Sequence, residues 1–448
     1  MAVKASAEQP AEAEASPQPR TAAKTRVARW LGAAKQAVKV EVDAEVVNAN
    51  QKTPPAPVAR TQRKPAPVIA DVAKRVVQVV TNTVDDTAKA PLPSAPKAAA
   101  APPELPSPVE VIGSLVFNVY GAVIKVAVGP PKLPPGSTVT VKSSTLEVAD
   151  GHVVPADWYY PAGDEPPERM IYLQHGFLAS GPMYSYTAAY LAEATNSVVV
   201  APSLTSNPYA RDSLWLGGDG MHRAVADLFV GDREALTQSA LAAGYAEQYG
   251  LDPATAVLPR RVALVGHSLG GGLVAGVAGY MVDNGTADDL VGVILLDGVP
   301  PDGVLPSALT KLAAYEKRTG RYIPVREIGA PPNNFNSGST VNEDLAAARP
   351  DRFNGVVLVD GTHMDGMQGG NPLIQFAAYL VAGFPTAQNP PAVQELAVTW
   401  LDDWFQGRTG VGDDLVPGST IEIETPKGTA RGIVIGQPVP AAGVALAA

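Results

Sequence analysis

The 448-residue sequence has no cysteine, only five histidines, 6% aromatic residues and 17% charged residues. Without cysteine, a disulfide framework, a thiolate metal site and a cysteine nucleophile are all excluded. Five histidines leave little room for a histidine-built metal site. Positive charge is also short: 34 Lys and Arg face 44 Asp and Glu, a net charge of −10 at pH 7 with a pI near 5.1, which excludes a generally basic nucleic-acid surface. A secretory signal is not read in the first thirty residues. They carry Lys4, Arg20, Lys24, Arg26 and Arg29 but neither a continuous apolar run nor a small-residue cleavage site. The compartment stays open on this reading, with the cytoplasm as the default.

Hydrophobic residues, at 46%, are abundant enough for a sizeable core, but they are unevenly spread. Residues 1–108 hold 26 Ala and 15 Pro with one glycine (Gly32) and one aromatic residue (Trp30). Such a stretch cannot bury a core and reads as a disordered tail or linker. It is mildly basic, with 15 Lys and Arg against 10 Asp and Glu, on an acidic body. Residues 109–436 read as the folded domain and 437–448 as a disordered end. The domain opens with Val111, Ile112, Leu115, Val116, Val119, Tyr120, Val123 and Ile124, the stripe of an amphipathic helix. That periodicity favours packing on the body over crossing a membrane, so no transmembrane span is expected.

Beyond it, 138–148 and 152–160 read as a hairpin around Asp150-Gly151. Apolar strands then follow at 170–174, 197–202, 261–266, 290–296, 322–328 and 355–359. They alternate with helical patterns at 184–194, 224–249, 273–284, 307–318, 341–348 and 393–405. Continuous apolar strands alternating with helices predict an α/β fold, a mostly parallel twisted sheet with helices on both faces. Residues 420–424 and 431–435 predict a peripheral hairpin around Pro426-Lys427-Gly428.

The strongest local signal is the strand Arg261-Val-Ala-Leu-Val running into Gly266-His267-Ser268-Leu269-Gly270 and then a helix. This strand-turn-helix context is that of a nucleophile elbow: the sharp turn exposes the hydroxyl of Ser268, and the flanking glycines remove side chains that would collide. A serine hydroxyl needs a base. Of the five histidines, His152 lies in the early hairpin and His267 within the elbow, its side chain directed away from the hydroxyl. His175 precedes the nucleophile, against the α/β-hydrolase order of Ser, acid, His. His363, ending the run Val356-Val-Leu-Val-Asp-Gly361-Thr, is the candidate base.

The usual slot for the acid, the loop after the penultimate strand, reads Gly329-Ala-Pro-Pro-Asn-Asn-Phe-Asn-Ser-Gly-Ser-Thr340 and contains no carboxylate. One strand earlier, Val293-Ile-Leu-Leu-Asp297-Gly298 delivers one in the correct order, so Asp297 is the candidate acid. Glu327 and Asp360 are weaker choices, the first within its strand and the second only three residues from His363. The N–H groups of Leu269 and of Phe177, in the loop His175-Gly176-Phe177, are the candidate oxyanion donors. His175 is expected to orient that loop. Trp215 and His222 are candidates for lining a substrate groove within 205–260.

These motifs resemble the α/β-hydrolase superfamily over about residues 109–405. Within it, Gly-His-Ser-x-Gly-Gly is similar to the chlorophyllase and polyester-hydrolase-like branch, whose chlorophyllases likewise take their acid from the strand after the nucleophile helix. The Ala/Pro-rich tail, Ile112-Gly-Ser-Leu-Val-Phe117 and Met367-Gln-Gly-Gly-Asn-Pro372 resemble uncharacterised actinobacterial hydrolases, relatives that are often exported to the envelope or beyond. The resemblance implies a serine esterase or lipase acting on a small-molecule or lipidic ester through an acyl-enzyme, with no metal or organic cofactor and no nucleic-acid partner. An acyltransferase or thioesterase using the same groups is the first alternative. A non-catalytic envelope or binding protein on the same fold is the second.

Overall fold

The computed structural model describes Ser114, Phe117, Asn118, Gly121, Ile124 and every residue from 127 to 436. The tail read at 1–108, the end segment at 437–448 and most of the leading apolar stripe lie outside the described residues. Where it is described, the leading segment is helical as far as Val128. No helix among the described residues is long and apolar enough to cross a membrane.

Among the described residues, ten strands form one sheet in the order β1-β2-β4-β3-β5-β6-β7-β8-β10-β9. Strands β1 (Thr140–Ala149) and β2 (His152–Tyr160) make the predicted hairpin, with Gly151 supplying a left-handed turn residue at φ +69°. The centre is parallel: β3 (Arg169–Gln174), β4 (Val198–Pro202), β5 (Arg261–His267), β6 (Leu290–Leu296), β7 (Val325–Gly329) and β8 (Gly355–Leu358). Their carboxyl ends therefore share one edge of the sheet, where the loops carrying chemistry converge.

Strand side chains alternate between two hydrophobic cores, as a period of two demands. Met170, Tyr172, Val262, Leu264, Val293 and Leu295 face helices α2 (Asp219–Asp227), α3 (Glu234–Ala242), α5 (Leu269–Asp283), α6 (Val304–Thr319) and α7 (Val341–Ala348). Ile171, Leu173, Ala263, Val265, Ile294 and Leu296 face α1 (Ser185–Thr195) and α9 (Asn389–Phe405). The expected parallel sheet with both faces covered is the one observed.

Four local expectations change. The helical pattern at 224–249 is three helices, α2, α3 and α4 (Tyr245–Tyr249), because Gly231, Arg233 and Gly244 adopt left-handed backbone that ends a helix. Arg233 is held there by its buried guanidinium, which donates to the carbonyls of Pro259 and Arg260 and pairs with Asp289 at 3.0 Å. Helix α5 begins at Leu269, so the glycines read as a turn form its first winding. The C-terminal hairpin of β9 (Thr420–Thr425) and β10 (Gly428–Val434) pairs antiparallel with β8 and extends the main sheet. Helix α8 (Pro372–Ala382) was not anticipated. Its signals are local, with Asn371 capping the N–H groups of Leu373 and Ile374 ahead of a proline in the first turn.

Candidate active site

Strand β5 ends in a turn that few residues tolerate. Ser268 lies at φ 55°, ψ −125°, a strained conformation that costs about 1–3 kcal/mol and persists only where surrounding structure enforces it. The enforcement is steric. A Cβ on Gly266 would fall 2.2 Å from the carbonyl oxygen of Gly270, and one on Gly270 would fall 2.3 Å from that of His175. Backbone bonds from Ser268 N–H to Leu296 O (3.0 Å) and from Val299 N–H to Ser268 O (2.9 Å) tie the turn to the end of β6.

That edge brings Ser268, His363 and Asp297 together, although 95 and 66 positions separate His363 from the other two. Nε2 of His363 is 3.0 Å from Oγ of Ser268, and its Nδ1 is 2.5 Å from Oδ2 of Asp297. An ionised carboxylate only accepts, so Nδ1 carries the ring proton and donates it to Asp297. The Nε2 lone pair is then free to accept the Ser268 proton. His363 and Asp297 are both buried.

Burial alone raises the pKa of Asp297, but its hydrogen bond to His363 and the electrostatic attraction of that side chain outweigh it. The Ala330 N–H (2.8 Å) and the Asn336 side-chain amide (3.0 and 3.1 Å) add to this, and the carboxyl lies below its ordinary value. Asn336 belongs to the very loop that lacks a carboxylate. Its neighbour Phe335 stacks on the His363 ring, with centroids 5.4 Å apart and planes within 11°.

Sequence reasoning missed three further partners. The His267 ring lies 4.8 Å from that of His363, and its Nε2–H donates to the His363 carbonyl at 2.6 Å. Its Nδ1 accepts from the hydroxyl of Tyr184, which itself accepts from the Gly176 N–H. Burial, followed by the neighbouring His363, lowers His267 to about 3, which suits a permanently neutral ring in this relay. Asp365 braces the same loop, accepting from the N–H (2.9 Å) and hydroxyl (2.7 Å) of Thr362. Asx-type closures of this kind are invisible to spacing arguments.

The loop after β3 behaves as expected for His175: its Nε2 accepts from the Leu204 N–H at 2.9 Å, and its Nδ1–H donates to Gly176 O at 2.8 Å. Both ring nitrogens are committed, and burial pulls the ring down to about 4. A Cβ on Gly176 would lie 3.0 Å from that of Ser268, so this loop passes directly over the serine. The N–H groups of Phe177 and Leu269 take part in no recorded hydrogen bond among the described residues, and Leu269 opens the fifteen-residue helix α5. Free N–H groups at a helix N-terminus favour an anion.

The two groove candidates, His222 and Trp215, make contacts of their own. His222 is buried in α2 with its ring against Gly276, about 12 Å along α5 from Ser268, and forms part of a helix–helix contact instead of a groove wall. Its burial lowers it to about 4. Trp215 is half-buried and folds back over Gly217 and Gly218 of its own loop. Among the described residues, neither side chain touches Ser268. No group of three or more His, Asp or Glu among the described residues has the geometry of a metal site.

The largely parallel sheet with helices on both faces and the strand-turn-helix at Ser268 after β5 are those of the α/β-hydrolase fold. No family model matches the chain, and no curated protein matches it. Solved structures that are similar include brefeldin A esterase, a bacterial homologue of human hormone-sensitive lipase (15% identity, 69% of this chain and 90% of that one, TM-score 0.41). A Rhizomucor miehei fungal esterase is similar at 14% identity over 78% and 99% of the two chains, TM-score 0.40. A Pyrobaculum calidifontis esterase is similar at 14% over 74% and 99%, TM-score 0.37. The likeness at this level is one of backbone arrangement.

Proposed function

We propose that the protein is a serine hydrolase that cleaves a carboxylic ester through an acyl-enzyme. The observation that carries this reading is the unbroken hydrogen-bond line from Asp297 through His363 to the strained Ser268. Oγ of Ser268 attacks the ester carbonyl while its proton passes to Nε2 of His363, and Asp297 holds the resulting imidazolium. The oxyanion is received by the N–H groups of Phe177 and Leu269. His363 returns the proton to the departing alcohol. Water, deprotonated by the same nitrogen, then releases the acid and restores Ser268.

An apolar surface next to the Thr362–His363 loop supports a reading of the substrate class. In α8 and the following turn, Leu373 (61% exposed), Phe376 (51%), Leu380 (61%) and Phe384 (57%) face outward, and none of the eleven helix residues is buried. No charged residue occurs from 366 to 394. A Cβ on Gly383 would touch Thr362 at 3.8 Å, so this apolar surface adjoins the loop of the base. It suits an ester with a bulky or lipidic group.

A fluorophosphonate probe tests the chemistry directly. Wild-type protein is expected to incorporate one label, which Ser268→Ala abolishes while melting like wild type. Absence of labelling in folded wild-type protein defeats the proposal.

A further inference from the structure

Glu327 is a fully buried carboxyl on β7 that forms no ion pair among the described residues. Arg326, next to it, points to the opposite face, where its guanidinium lies over Phe353, Trp400 and Trp404. Oε1 of Glu327 accepts the N–H of Gly298 at 2.9 Å. Oε2 is buried without a hydrogen-bond partner among the described residues and lies 3.3 Å from where a Gly298 Cβ would be. The charged group facing it is Asp297, one residue before Gly298, with His363 beyond.

Gly298 belongs to the turn that presents Asp297. Asp297 is itself at positive φ, 44°, a backbone that most non-glycine residues avoid and Asp adopts more readily than others. Four bonds hold the turn: Asp297 N–H to Ile328 O, Gly298 N–H to Glu327, the Ser339 hydroxyl to Gly298 O, and Val299 N–H to Ser268 O. Glu327 provides the only one of these in which a buried titratable side chain is the acceptor.

We infer that Glu327 is a positioning residue for the Ser268–His363–Asp297 relay, a neutral carboxylic acid whose Oε1 anchors Gly298 and so fixes the direction of the Asp297 carboxylate. The inference rests on the proposed triad. Burial, reinforced by the adjacent Asp297 charge, raises the pKa of Glu327 well above its ordinary value, which agrees with a neutral group. Were it ionised, it would stabilise the His363 imidazolium and hold that ring protonated to higher pH.

The test compares kcat, KM and the pH profile on a soluble p-nitrophenyl ester for wild type, Glu327→Gln and Glu327→Leu, with fluorophosphonate labelling of each. Glu327→Gln keeps a neutral acceptor of the same volume. It is expected to retain kcat within about threefold, with the acid limb of the profile unmoved. Glu327→Leu lacks the acceptor and is expected to lose about 10- to 100-fold in kcat, with KM changed less than about twofold. If the leucine variant does not fold, the glutamine variant decides alone. Its acid limb moving to lower pH would show that native Glu327 is charged, and a large kcat loss would show that a carboxyl itself is required; either overturns the inference. A folded leucine variant with wild-type kcat also overturns it. Labelling of Ser268 in wild type keeps these outcomes separate from failure of the esterase reading, in which no variant labels.

Discussion

Asn336 donates its side-chain amide to both carboxylate oxygens of Asp297, at 3.0 and 3.1 Å, from a loop that has no carboxylate of its own. The loop after β7 thus serves a carboxylate delivered by β6. Removing the amide leaves Asp297 with one N–H, from Ala330, besides His363. Asn336→Leu is expected to reduce kcat by about tenfold with little change in KM. Asp297→Asn is expected to cost roughly three to four orders of magnitude in kcat with the fold intact. Steady-state kinetics on both variants check this, and near-normal turnover of Asp297→Asn would remove that residue from the proposed relay.

His267 acts on the backbone of His363, not on its ring nitrogens, through Nε2–H and the His363 carbonyl. His267→Phe keeps an aromatic ring beside His363 but breaks this bond and the one from Tyr184. A kcat loss of about 10- to 100-fold is expected, from a base displaced by a fraction of an ångström. Tyr184→Phe, which leaves the Nε2 bond in place, is expected to lose less. The ranking of the two variants in single-turnover acylation is the measurement.

Asp157 provides a pH test of stability away from the site. It is buried on β2 and accepts from the Ser143 hydroxyl at 2.6 Å; burial raises it to about 6, against that hydrogen bond. A folded value above the unfolded one means that the folded state holds a proton the unfolded state has released. Its contribution is therefore fully present below about pH 4 and is lost as pH rises through about 6. The loss is at most about 3 kcal/mol, from a shift of about two units. Asp157→Asn removes this dependence, so its melting temperature relative to wild type is expected to rise between pH 4 and pH 8. Thermal melts at the two pH values decide.

The exposed residues of α8 make a prediction about substrate. Phe376→Ser combined with Leu380→Ser changes side chains already in solvent, so the melting temperature is expected to shift little. Activity on long-chain esters is expected to fall several-fold relative to acetate, if that surface carries the apolar part of the substrate. Equal losses on both chain lengths would separate the helix from substrate binding.

Much of this was legible locally. The run from Arg261 to Gly270 contains its own reason to form a strand, a strained turn and a helix, because glycines at 266 and 270 are the only residues that fit beside the carbonyls found there. Chain order and position at strand ends singled out His363 and Asp297, and the structure brings both side chains into one hydrogen-bonded line with Ser268. The breaks within 224–249 were not legible, since Arg233 adopts left-handed backbone only when Pro259, Arg260 and Asp289 arrive to bind its guanidinium. Nor was the burial of His222, whose polar flanks Asp219 and Arg223 mark an exposed helix side, while its own ring meets Gly276.

By itself, then, the order of residues determined the alternation of strands and helices and which strand end bears the hydroxyl, because propensity, periodicity and turn sterics act over a few neighbours. Only the tertiary structure decided what surrounds His363 and Asp297: Phe335 and His267 against the ring of His363, and Asn336 and Glu327 around Asp297 and its turn. Those contacts join residues tens of positions apart, and their energies depend on burial and on distances that exist only once the sheet has aligned its strand ends.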